Sequence, residues 1–360
     1  MASLRTALGG FVLACLIGIT IQLLLRSPIC PVPLELPTTS PELPPPNDAL
    51  QKVVKLGEGM LEGPEDVWLD KEGTLYTATR DGWIKRMHLN GSWEDWAKID
   101  GGAALGITAS ASGGLIACDP IKGLLKVGEN GVTIIANEVD DGSKIIFADA
   151  VIEASDGGVY FSDASTKFGF QDWIMDILEA RPHGRLLRYD PSTNKTSVVL
   201  SDLAFANGVA LSADENYLVV CETWKFRCLR YWLKGEVKGK TEVFIDNLPG
   251  GPDNINLAPD GSFWIALLKL RSRWLDVIHR SPMIKRLIGA SFPGITSLPT
   301  TINSRATIVN VGGDGKIIRR FDDPNGNVMR FLTSAVEYEG HLYLGSLSTD
   351  FVGKLSLLEA

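Results

Sequence analysis

Gly73-Thr74-Leu75-Tyr76, followed after a short gap by Trp83-Ile84-Lys85-Arg86-Met87, is the phrase on which the architecture turns. It couples a turn glycine to a short apolar-aromatic strand, with a second strand within hairpin reach. The phrase returns as Gly114-Leu115-Ile116-Ala117-Cys118 with Gly123-Leu124-Leu125-Lys126-Val127, and as Gly158-Val159-Tyr160-Phe161 with Gly184-Arg185-Leu186-Leu187-Arg188-Tyr189. Further copies are Tyr217-Leu218-Val219-Val220 with Cys228-Leu229-Arg230-Tyr231-Trp232, then Gly261-Ser262-Phe263-Trp264-Ile265, then Gly340-His341-Leu342-Tyr343-Leu344 with Gly353-Lys354-Leu355. The early copies recur at roughly 40 to 45 residues, the period of a four-stranded propeller blade. A single blade cannot bury both faces of its sheet, so blades pack around an axis. The expectation is an all-β, six-bladed β-propeller over residues 50–360, with Val53-Val54-Lys55-Leu56 closing the ring against the last copy. A β-sandwich would not produce so regular a period.

Two interruptions break the repeat. Lys167 to Arg181 predicts a short helix with Trp173, Ile174, Ile177 and Leu178 on one stripe, and Leu267 to Thr300 a longer insertion with Trp274, Leu275 and Ile278 beside Arg271, Arg273 and Arg280. Such insertions could lie over one end of the tunnel as lids, pack on the outside of the ring, or touch a membrane surface.

Working outward to the N-terminus, Ala7 to Leu25 is about nineteen residues of almost wholly apolar chain, the length that spans a bilayer. It ends Gln22-Leu23-Leu24-Leu25-Arg26, without the small-residue exit of a cleaved leader, so residues 1–26 read as an uncleaved anchor. A cleaved signal peptide and a soluble secreted or vacuolar body is the alternative. The sequons Asn90-Gly91-Ser92 and Asn194-Lys195-Thr196 suit glycosylation of a lumenal body, in the endoplasmic reticulum, the vacuole or at the cell surface. Residues 27–49, with Pro44-Pro45-Pro46, read as a semi-rigid linker outside the core. Cys221 and Cys228 could face each other across a hairpin, where an oxidising lumen permits a disulfide, or stand as two small buried hydrophobes. A net charge of −8 with no basic run argues against nucleic acid as a partner.

Polar residues recur at one phase of the repeat, ahead of the glycine-strand phrase. They lie in Gly63-Pro64-Glu65-Asp66-Val67, Phe147-Ala148-Asp149-Ala150-Val151, Phe205-Ala206-Asn207-Gly208-Val209 and Gly251-Pro252-Asp253-Asn254-Ile255. Taken singly these are also turn chemistry. Equivalent positions of different blades converge on the axis, where carboxylates and amides are the oxygen ligands that calcium takes.

These motifs, together with Ala-Asn-Gly-Val-Ala-Leu-Ser and Arg230-Tyr231-Trp232-Leu233-Lys234-Gly235, resemble the plant strictosidine synthase-like proteins, related to the adipocyte plasma membrane-associated protein and to the calcium-dependent phosphotriesterase superfamily. The resemblance covers the body from about Leu50 onward and implies a six-bladed propeller with axial calcium. It implies Glu65 as the calcium-binding glutamate with Asp66 beside it, Asn207 as an asparagine ligand, and Asp253 and Asn254 as an acid-amide pair. Where paraoxonases carry an asparagine before an aspartate, this chain has Ala148 before Asp149, and Leu105 and Asp119 stand in place of their histidine pair. His88, His183, His279 and His341 match no catalytic position and are expected to be solvated. The acid–base glutamate of strictosidine synthase falls on Thr333, and Glu337 lies four residues on, so no strictosidine synthesis is expected. The implied activity is calcium-dependent hydrolysis of a small apolar ester or lactone, with Asp253 as the reacting carboxylate. The alternatives are a non-enzymatic interaction module with structural calcium and a Pictet–Spengler-type condensing enzyme.

Overall fold

The computed structural model describes residues 2–36, 42–270, 273–291 and 305–358. Six four-stranded antiparallel sheets form the body. Blade 1 contains Pro64–Leu69, Leu75–Thr79, Trp83–Met87 and Trp93–Lys98, and blade 2 contains Ile107–Ala109, Leu115–Asp119, Gly123–Gly128 and Gly131–Ala136. Blade 3 contains Ala148–Glu153, Val159–Asp163, Gly184–Asp190 and Lys195–Leu203, and blade 4 contains Ala206–Leu211, Tyr217–Glu222, Arg227–Trp232 and Thr241–Ile245. Blade 5 contains Gly250–Leu257, Phe263–Leu270, Ala306–Val311 and Ile317–Asp323. Blade 6 contains Leu332–Tyr338, His341–Ser346 and Val352–Ser356, and its fourth strand is Val54–Leu56 from the other end of the chain. Lys55 pairs with Gly353 in that closure. The ring is the expected six-bladed propeller.

The blades hold together because their strands are apolar on both faces. Leu218-Val219-Val220-Cys221 is buried throughout, and with a side-chain period of two its members point alternately to opposite sides of the sheet. Leu218 and Val220 pack with Leu186 and Val209 in the gap between blades 3 and 4. Val219 and Cys221 pack with Phe263 and Val309 between blades 4 and 5. Trp264, Ile308, Leu342 and Leu344 fill the gap between blades 5 and 6 in the same way. Cys221 and Cys228 stand opposite each other on neighbouring strands and are disulfide-bonded.

Four α-helices stand among the described residues: α1 (Ala2–Arg26), α2 (Trp173–Glu179), α3 (Arg273–Arg280) and α4 (Pro282–Ser291). Among the described residues α1 is the helix long and apolar enough to cross a membrane. It touches α4, which in turn touches α2. The second insertion folds as α3 and α4. Ile278 packs inward against the α2 cluster, whereas Trp274 is 77% exposed beside exposed Val277 and Met283. Arg271 and the side chains of Arg273 and Leu275 lie outside the described residues.

Two expectations need correction. The proline-rich segment is no free stalk over its first ten residues. Val32 N donates to Glu179 O at 3.1 Å, Leu34 N donates to His279 O at 2.9 Å, and buried Lys285 Nζ donates to Val32 O at 2.8 Å. Ile29 is buried against Gly289, where a Cβ would come within 3.0 Å of it. The prolines leave few amides to satisfy, and the remaining ones find acceptors on the ends of α2 and α3. Nor is His279 solvated. It is 1% exposed, and neither ring nitrogen has a partner among the described residues. Residues 27–36 run as a strap past α3, where Leu34 N bonds His279 O, a long-range contact that local sequence does not encode. His88, His183 and His341 are half-buried.

Candidate functional site

The recurrent polar residues lie on the innermost strands of blades 1, 3, 4 and 5, one strand earlier than the phrase that marks the repeat. Each of those strands breaks register at the polar residue. The pairing shifts between Pro64 and Asp66, between Ala148 and Val151, between Ala206 and Val209, and between Pro252 and Ile255. Leu332 to Ser334 shifts likewise, around Thr333. An irregularity of this kind bends the strand and re-aims a side chain. Gly208 lets neighbouring inner strands close up, since a Cβ there would sit 2.3 Å from Asp253 O.

The consequence is a cavity of about 320 Å³ at one end of the tunnel, with Glu65, Asp149, Asn207 and Asp253 from four different blades among its lining residues. Its size suits a small ligand. Asn254 Nδ2 donates to Glu65 Oε1 at 3.0 Å, so the acid-amide pair is split between the cavity and its support. Asp66 is committed elsewhere. It accepts from Val67 N and, across to blade 2, from Ile107 N, each at 2.9 Å, and also from the Ser334 hydroxyl of blade 6. It ties three blades together. Thr333 is buried and donates its hydroxyl to Glu65 O, while Glu337 accepts from Trp264 Nε1 at 2.7 Å outside the cavity.

Electrostatics mark this floor as unusual. Burial, then Asp253, Asp66 and Asp149, push the Glu65 carboxyl well above its usual range, against the hydrogen bond from Asn254. Burial and Asp149 do the same to Asp253, against a bond to Asn207. Burial and Asp66 raise Asp149 to about 7, and burial raises Asp66 to about 6 despite its three donors. Like charges crowded in a low dielectric resist ionisation unless a cation joins them.

Among the described residues no group of three or more His, Cys, Asp or Glu side chains is arranged to hold a metal ion. The set at the floor is mixed, with an amide among the acids. Glu65 Oε2 and Asn207 Oδ1 are buried without a hydrogen-bond partner. Unpaired buried oxygens are expensive, and a hard, oxygen-seeking cation would satisfy both. Glu65, Asn207 and Asp253, with Asp149 near them, fit calcium by donor chemistry.

The walls are aromatic. Phe147 meets Phe170 and Phe205 edge-on at 5.6 and 5.3 Å, Phe205 lies 4.5 Å from Trp224, and Trp224 stacks on Trp173 at 6.0 Å. Phe170, Gln171 and Trp173 belong to the first insertion, which is thus a lid on the cavity. Leu105 lines the cavity too, and Asp119 accepts from Ile121 N and Lys122 N at 2.8 and 2.6 Å in its own turn. Among the described residues no histidine lines the cavity.

Two groups of functional residues escaped sequence reading. Phe147 and Phe205 immediately precede Ala148-Asp149 and Ala206-Asn207, and their recurrence at one phase is the signal that could have found them. The second strands of blades 2, 3 and 4 end in Asp119, Asp163 and Glu222. Asp163 accepts from Phe147 N at 2.8 Å and Glu222 from Ala204 N at 2.8 Å, which fixes the chain entering each inner strand.

Asp176 seats the lid. It accepts from Ser165 Oγ at 2.6 Å and Trp224 Nε1 at 3.0 Å, and burial raises its carboxyl from 3.8 to about 7. Because the folded value lies above the unfolded one, its stabilising contribution is complete below the unfolded value and is lost as pH rises through 7. Hydrogen exchange across Phe170–Glu179, corrected for intrinsic rate, should quicken as pH rises between about 4 and 7 and level off above that. Asp176→Asn should flatten that profile. An unchanged profile in the variant would assign the opening to another group.

Comparison with known proteins follows the same lines. The strictosidine synthase family model matches residues 148–236, and the strictosidine synthase-like N-terminal model matches residues 45–87. Protein STRICTOSIDINE SYNTHASE-LIKE 4 of Arabidopsis thaliana is 37% identical, over 96% of this chain and 94% of that protein. Adipocyte plasma membrane-associated protein of Mus musculus is 33% identical over 87% of this chain and 80% of its own. A gluconolactonase from Xanthomonas campestris superposes with a TM-score of 0.61 at 14% identity, covering 91% of this chain and 99% of that one. A calcium-binding protein, regucalcin, from Agrobacterium tumefaciens gives 0.56 at 15%, covering 88% and 95%. These two share the fold. With its ordered inner-strand motifs and near full-length identity to plant relatives, the chain belongs to the strictosidine synthase-like family.

Proposed function

We propose that the chain is a calcium-dependent hydrolase of small esters or lactones, held at a membrane of the secretory pathway. One observation carries the reading: Glu65, Asp149, Asn207 and Asp253 reach one aromatic-walled cavity from four blades, and two of their oxygens lack partners. The propeller relatives described as gluconolactonase and calcium-binding regucalcin support it through their shared fold. Calcium bound there would act as a Lewis acid on a carbonyl or phosphoryl oxygen. Glu65 and Asn207 offer oxygens to hold the ion. Asp253, with Asn207 bonded to it, is the carboxylate that would orient or activate water. The lid and the aromatic walls exclude bulk water from the reacting carbonyl.

The disulfide suits an oxidising lumen. Asn90 and Asn194 are exposed on hairpins at the end of the propeller opposite the cavity. The anchor α1 and the exposed Trp274 and Met283 belong to the helical, cavity-bearing end. Glycans would therefore stand away from the membrane.

Phenyl acetate hydrolysis by the full chain in detergent, with calcium and with chelator, tests the reading. Turnover that chelation stops and calcium restores is expected. Removal of glycans from the same preparation should shift its mobility, and Asn90→Gln with Asn194→Gln should abolish the shift. A specific observation favours a second reading, a non-enzymatic propeller with structural calcium: Leu105 gives the cavity wall no proton acceptor, and among the described residues no histidine lines it. Stability lost on chelation with no ester cleaved would select that reading.

A further inference from the structure

The cavity is polarised from side to side. Most of its aromatic residues belong to blades 3 and 4 and to the lid between them. Across the ring, blades 1 and 6 bring Arg80, Leu347 and Ser348, with Phe331 the aromatic on that side. Blade 1 faces blade 4 in a closed ring of six, so Arg80 stands opposite Phe205 and Trp224.

Arg80 is the cationic residue lining this cavity, and its exposed guanidinium enters no ion pair or hydrogen bond among the described residues. Its stem is held nonetheless. Gly63 has φ +53°, and a Cβ there would lie 2.8 Å from Arg80 Cδ, so the stem runs over bare backbone. Arg80 N donates to Glu62 O at 2.9 Å, and Gly63 N donates to Thr349 O at 3.1 Å, joining this rim to blade 6. A fixed stem carrying an unpaired guanidinium at the mouth of a pocket is a preorganised fork for a carboxylate.

The other ionisable groups lining the cavity are the floor acids Glu65, Asp149 and Asp253. They would repel an anion placed beside them. An anionic group can therefore be held at the rim, with the apolar body of the ligand against the aromatic wall and its reacting carbonyl directed to the floor. Building on the hydrolase reading, we infer that the substrates are aryl or similarly flat apolar esters or lactones bearing a carboxylate remote from the reacting carbonyl, and that Arg80 recognises that carboxylate.

The test compares 4-acetoxybenzoate with phenyl acetate, two aryl acetates that differ by the remote carboxylate. In the parent chain kcat/KM should favour 4-acetoxybenzoate. In Arg80→Gln the ratio of the two kcat/KM values should fall on the order of 10- to 100-fold, mostly through KM for the anionic ester. Arg80→Lys should keep part of the preference, because the charge remains and the fork is lost. A parent chain that prefers the neutral ester, or a ratio unchanged in Arg80→Gln, overturns the assignment. If neither ester is cleaved the hydrolase reading fails alone, and calorimetry with 4-hydroxybenzoate still decides on Arg80. Binding that Arg80→Gln weakens tenfold or more upholds the site. No binding, or tighter binding of phenyltrimethylammonium to the aromatic wall and floor acids, overturns it.

Discussion

Asp253→Asn is expected to lower calcium-dependent kcat/KM for an aryl acetate on the order of 100-fold or more, since it removes the reacting carboxylate and a ligand charge at once. Activity alone would not separate lost chemistry from lost folding, and stability does. With calcium at about 100 times its Kd, the parent chain should gain about 2.7 kcal/mol. For a propeller of roughly 300 residues that is a rise in Tm of about 4 °C, from about 2.1 cal/mol/K of unfolding entropy per residue. The variant should lose most of that gain. In chelator, at neutral pH, the order should reverse. Burial and Asp149 raise the Asp253 carboxyl far above its unfolded value, so the metal-free parent gives up stability as pH rises past the unfolded value. An amide of the same shape carries no such penalty, and chelated Asp253→Asn should melt above the chelated parent. A variant that is inactive yet fully stabilised by calcium would place the ion away from Asp253.

What the sequence could reveal follows from which forces are local. The blades were legible because each turn glycine and each apolar strand is set by neighbours within a few residues, and six copies at one period leave few topologies. The phase of Glu65, Asp149, Asn207 and Asp253 was legible for the same reason. Distinguishing Glu65 from Asp66 was not. Adjacent residues on a strand point to opposite faces, and the register shift between Pro64 and Asp66 decides which of them reaches the cavity. Asp66 instead bonds Ile107 N and Ser334, partners from two other blades. The strap was misread because residues 27–36 carry no periodicity. Their place is fixed by Glu179, His279 and Lys285, which lie far along the chain. Arg80 looks like any exposed turn arginine until the ring places it across from Phe205 and Trp224.

The second large effect is expected at a buried ion pair. Asp163 is fully buried and accepts from Arg185 Nε at 2.9 Å, while its other oxygen accepts from Phe147 N. Arg185 spends its remaining donors on Ser143 Oγ and Lys144 O, each at 2.6 Å. The pair thus joins the second and third strands of blade 3 to the segment that enters its inner strand. Asp163→Ala leaves a buried guanidinium without its counter-charge and a backbone amide without an acceptor. That should destabilise the chain by about 3–5 kcal/mol, a fall in Tm of roughly 5–8 °C. Arg185→Met alone should cost a similar amount, because it strands the carboxylate. The double variant Asp163→Ala, Arg185→Met should lose less than the sum of the two, since no buried charge then remains unpaired. Strictly additive losses would show that the pair is not coupled. The same change reaches the site by a short path: Phe147 lines the aromatic wall, and Asp149 follows two residues later on the floor. Asp163→Ala should therefore also weaken calcium stabilisation in the fraction that stays folded. Had Asp163 served only the packing of blade 3, that calcium increment would match the parent's.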